Sequence, residues 1–213
     1  MKALIRRIDT DFPIGELHHD AWNVADVIRV ETYWSGDAAP PGRHFSARLL
    51  WSDDALYVRF EANQSEPFVV STEPELASKT IGLWDRDVCE VFIAPDPGEP
   101  NRYFEFEIAP NGEWIDLGIK QLADRRETDW DYESGMESAA QINEDSSVMA
   151  MRIEWKSLNL TAHSGLRFKG NLYRCVGTDP NRGYLAWSQT RTSAPNFHVP
   201  ACFGDFELAI PMC

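Results

Sequence analysis

The chain has 213 residues, with 34 acidic against 20 basic side chains and a net charge of −14. Such a surface repels phosphate backbones and anionic lipid, which excludes nucleic acid and membrane surfaces as partners and leaves neutral ligands and cations. The length and a hydrophobic fraction of 43% suit one β-domain over residues 1–213, large enough to stand without a disulfide or a structural metal.

At the start, only Ala3-Leu4-Ile5 is apolar before Arg6-Arg7. A secretory core needs about 7–15 apolar residues, and no stretch nears the ~18 of a membrane span. The chain as it stands is therefore expected to be soluble and cytoplasmic. A secreted or periplasmic chain that had already lost its leader would read the same way. His18-His19 falls in a polar stretch and reads as surface.

Strand signals then follow one another. Asp26 to Tyr33 and Phe45 to Trp51 read as strands, and Ser52-Asp53-Asp54-Ala55 as a turn. In the return strand Leu56, Val58, Phe60 and Ala62 alternate with Tyr57, Arg59 and Glu61, the period of two of a half-buried strand. Pro74 to Lys79 suggests a helical turn. Val88 to Ala94, Arg102 to Ala109 and Trp114 to Lys120 are strands, the last two joined at Pro110-Asn111-Gly112, where Asn-Gly suits a type I′ hairpin. Asp124 to Asp131 is charged and reads as a loop. Met136 to Ile142 and Ser147 to Glu154 form a hairpin, Leu158 to Ser164 a short helix, and Phe168 to Val176, Tyr184 to Ser188 and Phe203 to Ile210 the closing strands. About ten to twelve short strands at roughly 10-residue spacing predict an all-β fold, a two-sheet antiparallel sandwich.

Alternation also separates faces. On Val88 to Ala94, Cys89, Val91 and Ile93 make an apolar face, and Glu90 points the other way. On Arg102 to Ala109, Phe104, Phe106 and Ile108 oppose Tyr103, Glu105 and Glu107. One sheet is thus expected to carry Arg59, Glu61, Glu90, Glu105 and Glu107 on a concave outer side. A solvated face laced with ion pairs accounts for the same pattern. A sugar accounts for it too, because a pyranose has an apolar C–H face for an aromatic plate and a rim of hydroxyls for carboxylates, amides and Arg. Trp84 and Glu90 supply one group of each kind.

The run Leu83-Trp84-Asp85-Arg86-Asp87-Val88-Cys89-Glu90-Val91-Phe92 resembles the W-x-x-D-x-x-E-x-F core of family 9 carbohydrate-binding modules, part of the wider DOMON-like, jelly-roll sandwich group. Trp22, the Trp51 to Val58 hairpin and the closing Phe203-Gly204-Asp205-Phe206-Glu207-Leu208 are similar in order and spacing. The resemblance implies non-catalytic binding of a mono- or oligosaccharide end between two aromatic plates, in the setting of xylan or glucan degradation. It makes Trp84 one plate and Glu90 a hydroxyl acceptor. The second plate is expected from the loop before the last strand. The family usually has a Trp close to that strand, whereas this chain offers Phe197 and His198 there, with Trp187 further back and Asn196 as a hydroxyl partner.

Three other chemistries stay open. Glu90 and Glu105 could form a glycosidase pair, which needs two carboxyls about 5–10 Å apart across a cleft. Some DOMON-type domains bind haem through Met and His, for which Met136, Met149, Met151, His18, His19, His44, His163 and His198 are the candidates, although Met149 and Met151 share a strand face that suits a core. Calcium could sit near Asp53 and Asp54 or Asp85 and Asp87, where hard oxygen ligands cluster. Of the four cysteines, none forms a CxxC pair that would suggest zinc, and a Cys175–Cys202 bridge is conceivable.

Overall fold

The computed structural model describes residues 1–209. Its strands are β1 (Lys2–Arg7), β2 (Val27–Val30), β3 (Phe45–Trp51), β4 (Ala55–Asn63), β5 (Val88–Ala94), β6 (Arg102–Ile108), β7 (Trp114–Gln121), β8 (Arg126–Asp129), β9 (Glu137–Ile142), β10 (Ser146–Glu154), β11 (Arg167–Val176), β12 (Gly183–Ala186) and β13 (Gly204–Leu208). The expected final strand reaches Ile210, which lies outside the described residues, as does Cys213. Among the described residues the helical pieces are short 3-10 turns, and none is long and apolar enough to cross a membrane.

Two sheets face each other and meet at β1. One runs β8-β7-β6-β5-β11-β13-β1, with β12 beside the second half of β11. The other runs β1-β3-β4-β10-β9, with β2 on the far part of β3. Lys2 to Ile5 pair with β13 and Arg6 and Arg7 with β3, so one strand serves both sheets. Both pairings of β1 are parallel, a departure from the wholly antiparallel sandwich that the spacing predicts.

The core between the sheets is the apolar half of each alternating strand. Leu49, Val58 and Phe60 come from one sheet; Val91, Ile93 and Phe106 come from the other. Each such side chain contributes roughly 1.5–3 kcal/mol by leaving water. Gly170 on β11 is required by packing: a Cβ there would lie 2.5 Å from the Phe206 ring and 2.6 Å from the Phe92 carbonyl oxygen.

Both outer faces are covered as well. The segment carrying Phe12 and Trp22 closes over Tyr57 of β4. The loop after β12 lays Phe197 and Phe203 over Phe92 and Tyr173.

Four local expectations are corrected. Residues 74–79 form no helix. The helix expected at 158–164 is a 3-10 turn, Trp155–Leu158, ended by Asn159 in the left-handed region at φ 56°. The charged stretch 124–131 contains β8, paired to β7 from Gln121↔Arg126 to Gly118↔Asp129. The β6–β7 hairpin forms, but only Gly112 takes a positive φ, 92°. The Gly112 N–H closes on the Ala109 carbonyl at 2.9 Å around Pro110 and Asn111. Pro110 presets the φ of an ordinary turn and so displaces the I′ form.

Candidate functional site

The sheet built on β5 to β8 carries a cleft of about 260 Å³ on its outer face. Its floor is made by alternate residues. Glu90 of β5, Glu105 of β6 and Cys175 of β11 point into it from neighbouring strands. Arg126 and Thr128 of β8, followed by Trp130, line one side. Asn196, Phe197 and His198 line the other, with Tyr184 beside them.

Trp84 stands at the mouth on the 3-10 turn Leu83–Asp85, entered through Gly82 at φ 82°. Arg182 holds that turn. Its guanidinium donates to the carbonyls of Trp84 and Arg86 at 2.6 Å and of Asp85 and Gly177 at 2.9 Å. Asp87, the acidic residue of the motif, is buried and accepts from Gln64, from the Val69 N–H and from the Gly177 N–H. It fixes the backbone ahead of β5, while Glu90 points into the cleft.

The Trp84 and Trp130 rings lie 6.2 Å apart at 45°. Sandwiching a sugar ring would need about 7–8 Å, two carbon contact distances of roughly 3.5–4 Å. The two indoles therefore form adjoining plates along one rim, not a clamp. Trp130 is 45% exposed, which a packing role alone does not require.

Six of the eight expected ligand contacts come together here: Trp84, Glu90, Glu105, Asn196, Phe197 and His198. Phe197 lines the cleft but is itself packed, stacked on Tyr173 at 4.1 Å with its carbonyl accepting from the Tyr173 hydroxyl. Asn196 Oδ1 accepts from the His198 N–H. His198 Nδ1 is hydrogen-bonded to the Tyr103 hydroxyl at 2.8 Å. Burial, aided by the Arg126 charge, lowers the His198 pKa to about 3, so its ring is neutral.

The other two do not join. Arg59 is on the second sheet, where it donates to the Leu17 carbonyl and to Glu61. Strand alternation tells which way a side chain points, not which sheet it belongs to, so the sequence pattern alone does not separate Arg59 and Glu61 from the β5 and β6 glutamates. Trp187 is buried in the inter-sheet core, stacked on Phe206 at 5.5 Å.

Alternation reveals what the charged stretch hid. Arg126, Thr128 and Trp130 are two apart, so all three face the cleft.

The remaining residues singled out in the sequence are placed as follows. Cys89, Cys175 and Cys202 are free thiols, and Cys175 Sγ donates to Glu90 Oε1 at 3.4 Å, so no Cys175–Cys202 bridge forms. Met136, Met149 and Met151 are in the inter-sheet core, away from the exposed His18 and His163. Asp53 is engaged by Arg7.

Below the floor, Glu90, Glu105 and Glu107 converge, their nearest oxygens all within 4.8 Å of one another. Burial first, and then their mutual repulsion, push Glu90 and Glu107 well above the ordinary carboxylate value. Burial also raises Glu105.

Fold and cleft together define a ligand-binding β-sandwich with an indole rim and a carboxylate floor. A family model described as "Carbohydrate family 9 binding domain-like" matches residues 15–210, and the chain belongs to that family. An "Extracellular protein" of Arthroderma benhamiae is 22% identical over 170 residues, 73% of this chain and 74% of that protein. Among solved structures, a candidate carbohydrate-binding protein of Bacteroides uniformis superposes with a TM-score of 0.77 at 17% identity, covering 97% of this chain and 98% of that one. A family 9 carbohydrate-binding module of Caldicellulosiruptor kristjanssonii, in complex with cellotriose, superposes with a TM-score of 0.69 at 15% identity over the whole of both chains.

Proposed function

We propose that this chain is a non-catalytic carbohydrate-binding module that takes a sugar unit in the cleft under Trp84 and Trp130. The observation that carries the reading is the pairing of an exposed indole rim with carboxylates on one floor. The indoles cover the C–H face of a ring. Glu90 and Glu105 accept from hydroxyls, and Arg126 and Asn196 complete the polar edge. The cleft, about 260 Å³, lies just below the ~300–1,000 Å³ of drug-sized sites, a scale that suits a short saccharide end.

Hydrolysis fits the geometry less well. A glycosidase places its two carboxyls on either side of the scissile bond. Here Glu90 and Glu105 rise from adjacent strands of one sheet and converge with Glu107 on one point. The C. kristjanssonii module has been solved with cellotriose and also with glucose, which makes glucose and short β-glucans the first ligands to try.

Titration calorimetry with glucose, xylose and cellobiose tests the proposal. We expect binding at or below the millimolar range, weakened about tenfold or more in Trp84→Ala, since tenfold corresponds to ~1.4 kcal/mol and one aromatic contact contributes on that order. No binding by any saccharide, or unchanged binding in Trp84→Ala, overturns it.

A further inference from the structure

Beneath the cleft floor, Glu90 and Glu107 are direct cross-strand partners, and Glu105 lies diagonally on the same face. Like charges set opposite each other across a strand pair destabilise a sheet. Glu107 is fully buried, and neither its carboxyl oxygens nor Glu105 Oε2 meets a donor from any other residue; the one group that either carboxyl could share a proton with is the other. Buried polar groups are rarely left in that state without a compensating partner.

The neighbouring cations do not supply one. All four hydrogen bonds from Arg182 go to backbone carbonyls. Arg126 acts on Glu105 by its charge alone, and the neutral His198 ring stands 3.9 Å from Glu105 Oε2.

We propose that Glu90, Glu105 and Glu107 bind one divalent cation at the base of the cleft, a hard ion of calcium size. Two oxygens on opposite sides of an ion with bonds of about 2.4 Å are roughly 4.8 Å apart, so three oxygens within 4.8 Å of one another can share such a centre. The donors are all carboxylate. The adjacent Cys175 Sγ is turned to Glu90 as a hydrogen-bond donor at 3.4 Å and is not one of the three converging groups. Three carboxylates supply three to six of the six to eight oxygens calcium takes. Glu90 and Glu105 line the cleft and Glu107 does not, so the remaining positions open toward the cleft, to water or to a pair of sugar hydroxyls. Only that last step, the sharing with sugar, rests on the carbohydrate reading above.

The test uses the whole chain, stripped with chelator and titrated at neutral pH with calcium by calorimetry and with terbium by luminescence sensitised through Trp84 and Trp130. We expect one ion per chain, and at least a tenfold loss of affinity in Glu107→Gln without a fall in the Tm of the stripped protein. Glu105→Gln gives the same readout if Glu107→Gln does not fold. No ion uptake at millimolar calcium, as when protons alone satisfy the three carboxyls, overturns the site. Equal uptake by wild type and Glu107→Gln also overturns it, since the ion then sits on the acidic surface. Sugar binding is measured alongside. Sugar without ion uptake sinks this site and spares the module; ion uptake without sugar does the reverse.

Discussion

At the residue scale, Trp130 carries as much of the rim as Trp84. It is the more exposed of the two and contacts its neighbour at an angle, so the pair offers two facets to one ligand. Removing Trp130 should cost sugar affinity several-fold to about tenfold, the scale of one aromatic contact. Because the residue is half exposed, Tm should hardly move. Calorimetry and thermal unfolding of Trp130→Ala check both. Trp84 was legible because it stands in a recognisable run, whereas Trp130 sat inside a stretch whose charges suggested a loop. His198 was legible as a position beside the cleft. Its ring is held in the interior wall by Tyr103, close to Glu105 at 3.9 Å. With a folded-state pKa near 3 against 6.5 unfolded, the unfolded chain binds the extra proton first. His198 therefore draws stability away as pH falls below about 6.5. Between pH 7 and pH 4 the wild type should lose more Tm than His198→Asn, and equal losses would count against a neutral, buried ring.

At the scale of elements, the motif works as a strand with a clamped approach. Arg182 reaches across from the β11–β12 turn to four carbonyls, three of them in residues 84–86. Arg182→Ala should cost roughly 1–3 kcal/mol, the penalty for partly buried acceptors left without donors. It should also weaken sugar binding while Trp84 itself is intact. Arg182→Lys should not rescue either property, because one ammonium cannot reproduce a planar fork. Denaturant titration and calorimetry of the two variants separate stability from affinity. Gly170 makes a second prediction: Gly170→Ala forces a methyl against Phe206 and the Phe92 carbonyl, and such overpacking costs about 1–3 kcal/mol. The strands themselves were readable. Val58 and Phe60, or Val91 and Ile93, announce one apolar face by simple alternation, and the structure buries those residues. Membership of a sheet was not readable, since Arg59 and Glu90 show the same local pattern on different sheets. Nor was β1, whose apolar stretch, Ala3 to Ile5, is too short to announce a strand by alternation.

At the scale of the molecule, β1 is the piece on which both sheets depend. Lys2 to Ile5 find their partner in Asp205 to Leu208, some 200 positions away. A ribosome adds about 5–20 residues per second, so β1 waits roughly 10–40 s before β13 exists. Through that interval one edge of β1 has water in place of a neighbour, and an unpaired edge recruits strands from other chains. Closure over so long a loop is also the slow kind of contact that limits folding of β-proteins. The sandwich is thus assembled only after β13 has been made, and β1 is the strand most in need of shelter until then.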